Sequence, residues 1–167
     1  MLPTPKTMNN MSSPPYNPQT TPVRRKAAVA VIVRQQRLLV IRRSQKVAAP
    51  GKLCFPGGGI LPDETEHDAV VREIAEEMGV MCFPQQKIWH SQTSWGTEVA
   101  WWSADIAADA QLQINEEEVA EFFWLHPTQL HAHADLLPSN HEFLTAWKLA
   151  KFTIAGFSDP FVPLADG

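Results

Sequence analysis

Apolar and polar positions fall into distinct blocks along the chain. Residues 27–33 and 38–41 are short runs rich in β-branched side chains, separated by Arg34-Gln35-Gln36-Arg37, and the pair predicts a β-hairpin. A Pro/Gly-rich loop follows over 50–62. Val70, Ile74 and Met78 then recur at four-residue spacing with Ala69 and Val71 beside them, which predicts an amphipathic helix over 66–78. Thr65 with Asp68 three residues on makes an acidic variant of the capping box at its start, and Gly79 stands where a helix stops. Further strands are expected at 88–91, 98–106 and 121–125, and a last helix over 140–152. Strands alternating with two helices, without an internal repeat, point to an α/β or α+β domain.

Composition changes this picture mainly at the ends. Residues 1–22 carry Pro3, Pro5, Pro14, Pro15, Pro18 and Pro22 among Thr, Ser and Asn, too little apolar content to offset the entropy of ordering. We therefore expect a disordered tail over 1–23, a domain over 24–155 and a C-terminal extension over 156–167. With 167 residues, 44% hydrophobic and 19% charged, the chain fits a soluble globular protein with one core. A net charge of −4 argues against a nucleic-acid partner. Arg24-Arg25-Lys26 before the run 27–33 imitates a secretory signal, but seven apolar residues cut off by Arg34 are too few to span a bilayer. No membrane partner and a cytoplasmic location are expected. Cys54 and Cys82 form neither a disulfide framework nor a zinc pattern.

The chemistry gathers on the first helix. Glu73, Glu76 and Glu77 stand at i, i+3 and i+4, so three carboxylates fall within roughly 100° of one helix face. Like charges so placed repel unless a cation neutralises them, and oxygen ligands alone select a hard ion such as magnesium or manganese. A solvated acidic face has the same spacing, and the preceding loop bears on the choice. Pro56-Gly57-Gly58-Gly59 gives a backbone that bends sharply and approaches a ligand closely, although no Gly-Lys-Ser/Thr follows to make it a Walker loop.

Gly58, five residues, Glu64, seven residues, then Arg72-Glu73-Ile74-Ala75-Glu76-Glu77-Met78-Gly79-Val80 resembles the Nudix box at each of its nine defined positions. The resemblance implies an α/β fold, an α/β/α sandwich around a mixed β-sheet, with loop, helix and loop as catalytic motif. It implies that Glu76 and Glu77 are the main ligands of Mg2+, for which Mn2+ substitutes, with the carbonyl of Gly57 reaching the same ion. It gives Glu73 the part of a second ligand or general base. Arg72 and Glu64 are expected to pair and hold Glu73 in place, a task suited to a planar guanidinium. Many family members carry a ligand or base about six residues before a Trp. Here that residue is Glu118, ahead of Trp124, with Glu117 a neighbouring alternative and a solvated acidic loop the plain reading of the run.

The implied reaction is metal-dependent hydrolysis of a phosphoanhydride in a nucleoside diphosphate linked to another moiety, most sharply a MutT-like nucleoside triphosphate pyrophosphohydrolase. An ADP-ribose or nucleotide-sugar pyrophosphatase is the alternative within the enzyme class, and a non-catalytic nucleotide-binding module the alternative outside it. The segment 136–149 resembles the end of MutT-type enzymes, in which the residue matching Asn140 reads a purine edge; the other reading of Asn140 is a helix N-cap. Arg42 and Arg43 end the second strand, where MutT-like enzymes bring an arginine to phosphate, or are simply solvated. Trp89, Trp95, Trp101 and Trp102 serve either as base platforms or as core packing. His131-Ala132-His133 reads as a surface loop more than as a metal site. The partner is a small nucleotide, and monomer and homodimer both stay open.

Overall fold

The two apolar runs of the predicted hairpin are β1 (Lys26–Arg34) and β2 (Arg37–Arg43) in a computed structural model that describes residues 24–162. Gln35 and Gln36 join them with φ of 48° and 55°, the left-handed two-residue turn that suits the twist of paired strands. The chain continues through β3 (Leu53–Cys54), β4 (Gly57–Gly59), α1 (Glu66–Met78), β5 (Cys82–Gln92), β6 (Glu98–Ile106), β7 (Val119–Leu125), α2 (Pro127–His131) and α3 (Pro138–Lys148). The proposed tail over 1–23 lies outside the described residues.

The strands form one mixed sheet in the order β3-β2-β1-β6-β5, with β4 added to β1 and β7 to β2. β1 and β6 are parallel and the other pairs antiparallel. β1 alternates its side chains between two cores. Ala28, Ala30 and Ile32 face Val70, Ile74 and Met78 of α1, while Val31 joins Trp101, Phe143, Leu144 and Trp147 on the side of α3. Helices therefore cover both faces, as the resemblance implies.

α1 has the expected bounds. Thr65 Oγ1 accepts from the Asp68 N–H at 3.1 Å, and Gly79, at φ 66°, closes the helix with its N–H on the Ala75 carbonyl. α3 differs from expectation at both ends. It starts at Pro138, whose fixed φ suits a first turn, and Ala150 at φ 55° turns the chain away well before Phe152. Leu137, not Asn140, is the N-cap, so the capping reading of Asn140 is overturned. β5 is far longer than its apolar stretch: two register irregularities against β6 and the polar run around Gln85 and Gln86 break the alternation that would reveal it. The short helix α2 is capped by the side chain of His126, a residue without a capping signature in sequence. Beyond α3 the chain folds back, and Phe157 and Phe161 meet Trp147 at ring-centroid separations of 5.0 and 5.2 Å. No described helix is long and apolar enough to cross a membrane.

Candidate active site

Arg72, in the middle of α1, ties the glycine loop to the helix. Its Nε and Nη2 donate to the two oxygens of Glu64 at 2.7 and 2.9 Å, and Nη2 also donates to the Gly59 carbonyl at 2.8 Å. Nη1 faces the other way and donates to Glu73 at 2.7 Å and to Glu76 at 3.1 Å. The expected Arg72–Glu64 pair is thus present as a two-pronged ion pair. The guanidinium, with the Leu61 N–H beside it, holds the Glu64 carboxyl down to about 2.

Glu73, Glu77 and Glu118 converge beside that clamp, each offering an oxygen within 4.8 Å of the others. Glu73 and Glu77 are buried, and burial drives both carboxyls upward, Glu77 to about 8. For Glu77 the Gly57 N–H opposes the shift with a 2.9 Å hydrogen bond, while Glu73 and Glu118 add to it. Burial outweighs the Arg72 contact at Glu73. Glu76, expected among the main ligands, accepts from Arg72 as Glu73 does, and its oxygens stand outside this close group. Gly57, expected to act through its carbonyl, meets Glu77 through its N–H.

Two residues that carried no signal in sequence bring Glu118 into the group. The Asn115 N–H donates to the Glu77 carbonyl at 3.0 Å, its own carbonyl accepts from the Glu118 N–H at 2.9 Å, and its Nδ2 reaches the Glu118 carboxylate at 3.3 Å. Ser44 donates its N–H to the Glu118 carbonyl and its Oγ to the Glu117 carbonyl. Glu117 turns outward to Lys46. Of the acidic run, only Glu118 faces Glu73 and Glu77.

On the sheet face opposite α1, a cleft of about 400 Å³ runs from the glycines of β4 to the start of α3 and the β5–β6 turn. Arg43 lines it, with its Nη1 4.0 Å from the Cys54 sulfur and its Nε on the Ala48 carbonyl. Arg42 does not: it is bound to Glu121, Asp135 and the Gly51 carbonyl. A bulge separates the pairs Arg42–Glu121 and Arg43–Val119 and parts the two arginines next to Glu118. Asn140 also lines the cleft. It is buried, its Oδ1 accepts from the Phe55 N–H at 2.7 Å, and its Nδ2 donates to Ser139 Oγ at 3.2 Å. Trp101 is core, stacked on Phe143 at 4.3 Å. His131 lies against His141 of α3 at 4.6 Å, away from the carboxylates.

The family profile of the NUDIX domain matches residues 23–147. An uncharacterized Nudix hydrolase of Rhodococcus erythropolis is 28% identical over 124 residues, covering 64% of this chain and 66% of that relative's length. Among solved structures, a MutT protein from Methanosarcina mazei superposes with a TM-score of 0.62 at 22% identity, over 76% of this chain and 94% of that one. A C. elegans Ap4A hydrolase gives 0.62 at 22% identity, over 78% and 99%. A UDP-X diphosphatase gives 0.59 at 17% identity, over 76% and 64%. At these identities the structural likenesses speak for the fold.

Proposed function

We propose, from the premise that this chain belongs to the Nudix family, that it hydrolyses the phosphoanhydride of a nucleoside diphosphate linked to another moiety, most sharply a nucleoside triphosphate with release of pyrophosphate. The observation that carries this reading is the meeting of Glu73, Glu77 and Glu118 beside Gly57 and Gly58, the glycines that line a cleft also holding Arg43 and Asn140. A pure binding module has no chemical need for buried carboxylates so close together. Their donors are all oxygen and burial makes the bare anions costly, so the residues fit a divalent cation. Bound magnesium, or manganese in its place, supplies charge neutralisation at the phosphoryl oxygens and a lowered pKa for the attacking water.

The chain's own groups do the rest. Glu77 and Glu73 hold the cation from α1, with Glu76 beside them on Arg72. Arg72 binds Glu73 so firmly that Glu118, hydrogen-bonded among the described residues only by the Asn115 amide, is the freer carboxylate to take the proton of the attacking water. Gly57 and Gly58 let the loop lie close against the β1 backbone and the Glu73 carboxylate, where a Cβ on either would collide. Arg43 meets the phosphate chain. Asn140, with its oxygen engaged by Phe55, presents only amide hydrogens to the base.

The test is a magnesium-dependent hydrolysis screen of nucleoside triphosphates including oxidised purines, ADP-ribose, dinucleoside polyphosphates and nucleotide sugars. Pyrophosphate release from a triphosphate supports the sharper reading. Cleavage confined to ADP-ribose or a sugar nucleotide moves the substrate to that class, and no hydrolysis of any of them overturns the enzymatic reading.

A further inference from the structure

Five of the six tryptophans have a structural occupation. Trp101 stacks on Phe143, Trp89 lies against Phe152 at 5.3 Å, and Trp147 meets Phe157 and Phe161. Trp102 donates its indole N–H to Glu66 at 3.0 Å, and Trp124 carries the Arg34 guanidinium 4.8 Å above its ring. Trp95 has no aromatic, cationic or hydrogen-bonding partner among the described residues and is 61% exposed. Leaving so large an apolar ring in water forgoes the burial that tryptophan ordinarily gains.

The ring is nonetheless held on a braced turn. The Thr93 N–H donates to the Thr97 carbonyl at 2.9 Å, the Gly96 N–H to the Thr93 carbonyl at 2.9 Å and the Thr97 N–H to Thr93 Oγ1 at 3.0 Å. Thr93 itself is buried, and Gly96 takes φ 89°, a conformation open to glycine. This turn forms one end of the cleft. The floor between is apolar, from Ala27, Val29 and Val99. β1 lies between β4 and β6, pairing Ala27 with Gly59 on one side and with Val99 on the other, so the glycines and β6 are two strand spacings apart, about 10 Å. The cleft thus has the glycines, with the carboxylates beside them, at one end and an exposed aromatic ring at the other.

We propose that Trp95 is the stacking platform for the base of the substrate and a determinant of nucleotide recognition. The inference rests on the reading of this site as a nucleotide hydrolase. The nucleotide lies across Val29 and Val99, its base on the exposed indole and its phosphates over Gly57–Gly59. Stacking accepts any base, so Trp95 confers preference for nucleotides over base-free phosphates, while the choice among bases falls to Asn140 and its neighbours.

The experiment is equilibrium binding of AMP, GMP, CMP and UMP against ribose 5-phosphate, with magnesium, to wild-type protein, Trp95→Ala and Trp95→Phe. Wild type is expected to bind the nucleotides more tightly than ribose 5-phosphate. Trp95→Ala is expected to weaken nucleotide binding by about 5- to 150-fold, the range for losing one base–aromatic stack, and to erase the preference. Trp95→Phe, which keeps a ring, is expected to retain most of it. A Trp95→Ala protein that keeps the full preference overturns the proposal, as does wild type that binds nucleotides no better than ribose 5-phosphate. Turnover measured in parallel separates the two readings. Binding through Trp95 without hydrolysis leaves the platform standing and removes the enzymatic reading, whereas hydrolysis indifferent to Trp95 removes the platform alone.

Discussion

The backbone N–H of Phe55 donates to Oδ1 of Asn140 at 2.7 Å, joining the loop before the glycines of β4 to the first turn of α3 across 85 residues of sequence. The bond gives Asn140 a structural task beside its place on the cleft wall. Asn140→Ala leaves a buried N–H unpaired, so it is expected to lose about 1–3 kcal/mol of stability as well as nucleotide affinity. Asn140→Asp keeps an acceptor for Phe55 but gives up the amide donors and sets a negative charge beside the base. It is expected to unfold at a higher temperature than the alanine variant and yet show a higher KM. Thermal denaturation and steady-state kinetics check both, and an aspartate variant with unchanged KM removes Asn140 from recognition.

Gly57 and Gly58 separate folding from chemistry. A Cβ on Gly57 would lie 2.4 Å from the Ala28 carbonyl oxygen, at a φ of 142° that side chains rarely adopt. Gly57→Ala is therefore expected to destabilise the fold by about 1–3 kcal/mol. The nearest atoms to a Cβ on Gly58 would be those of the Glu73 carboxylate, at 2.5 Å, without backbone strain. Gly58→Ala is expected to displace that carboxylate and cut turnover by about tenfold or more, as a misplaced reacting group does, with a smaller loss of stability. Urea unfolding set beside turnover for the two variants gives the comparison, and equal effects in both assays count against this division.

The carboxylates divide by role in the same way. Glu77→Gln keeps an oxygen for the Gly57 N–H, so the protein is expected to fold while turnover falls by at least about 100-fold for want of an anionic ligand. Glu118→Gln is expected to lower kcat by about 100- to 10,000-fold, as loss of a general base does. Near-normal kcat in a folded Glu118→Gln protein returns that role to Glu73. Near-normal turnover in a folded Glu77→Gln protein removes the proposed chemistry altogether.

Local patterns made α1 legible in sequence. Val70, Ile74 and Met78 share one face, Thr65 and Gly79 mark the ends, and the observed helix has the expected bounds. The carboxylates on it stand at one-face spacing, and the Arg72–Glu64 pair followed from the resemblance to the Nudix box. Illegible were contacts between segments distant in the chain. Asn115 and Ser44 orient Glu118 through backbone groups, and no property of an isolated Asn or Ser marks such a task. The separation of Arg42 from Arg43 depends on a bulge against β7, a feature of pairing and not of either strand alone. Asn140 likewise showed both a capping and a recognition signature, and the start of α3 at Pro138 decided against the cap.

Acid and alkali should act oppositely on the metal-free protein through two carboxyls of one site. Glu77 titrates at about 8 when folded against an ordinary 4.5, so between those values the folded chain keeps a proton that the unfolded chain has released. The resulting stability is present below about 4.5 and is lost as pH rises toward 8. Glu64, held down to about 2, works the other way: its contribution is full above 4.5 and is lost as pH falls through 2. The window from pH 5 to 8 therefore separates Glu77 from Glu64, with Glu73, also shifted upward, adding to the same slope. His126 and His131, kept below their ordinary 6.5 by burial, oppose it in the lower part of the window, equally in wild type and in a Glu77 variant. Chelator-treated wild type is expected to lose melting temperature from pH 5 to 8 relative to Glu77→Gln, which has no proton to release there. Magnesium binds the ionised form, so its stabilisation of wild type is expected to be larger at pH 8 than at pH 5 and to be much reduced in the variant. Parallel pH profiles for the two chelated proteins would mean that Glu77 is already ionised in the folded state without a cation.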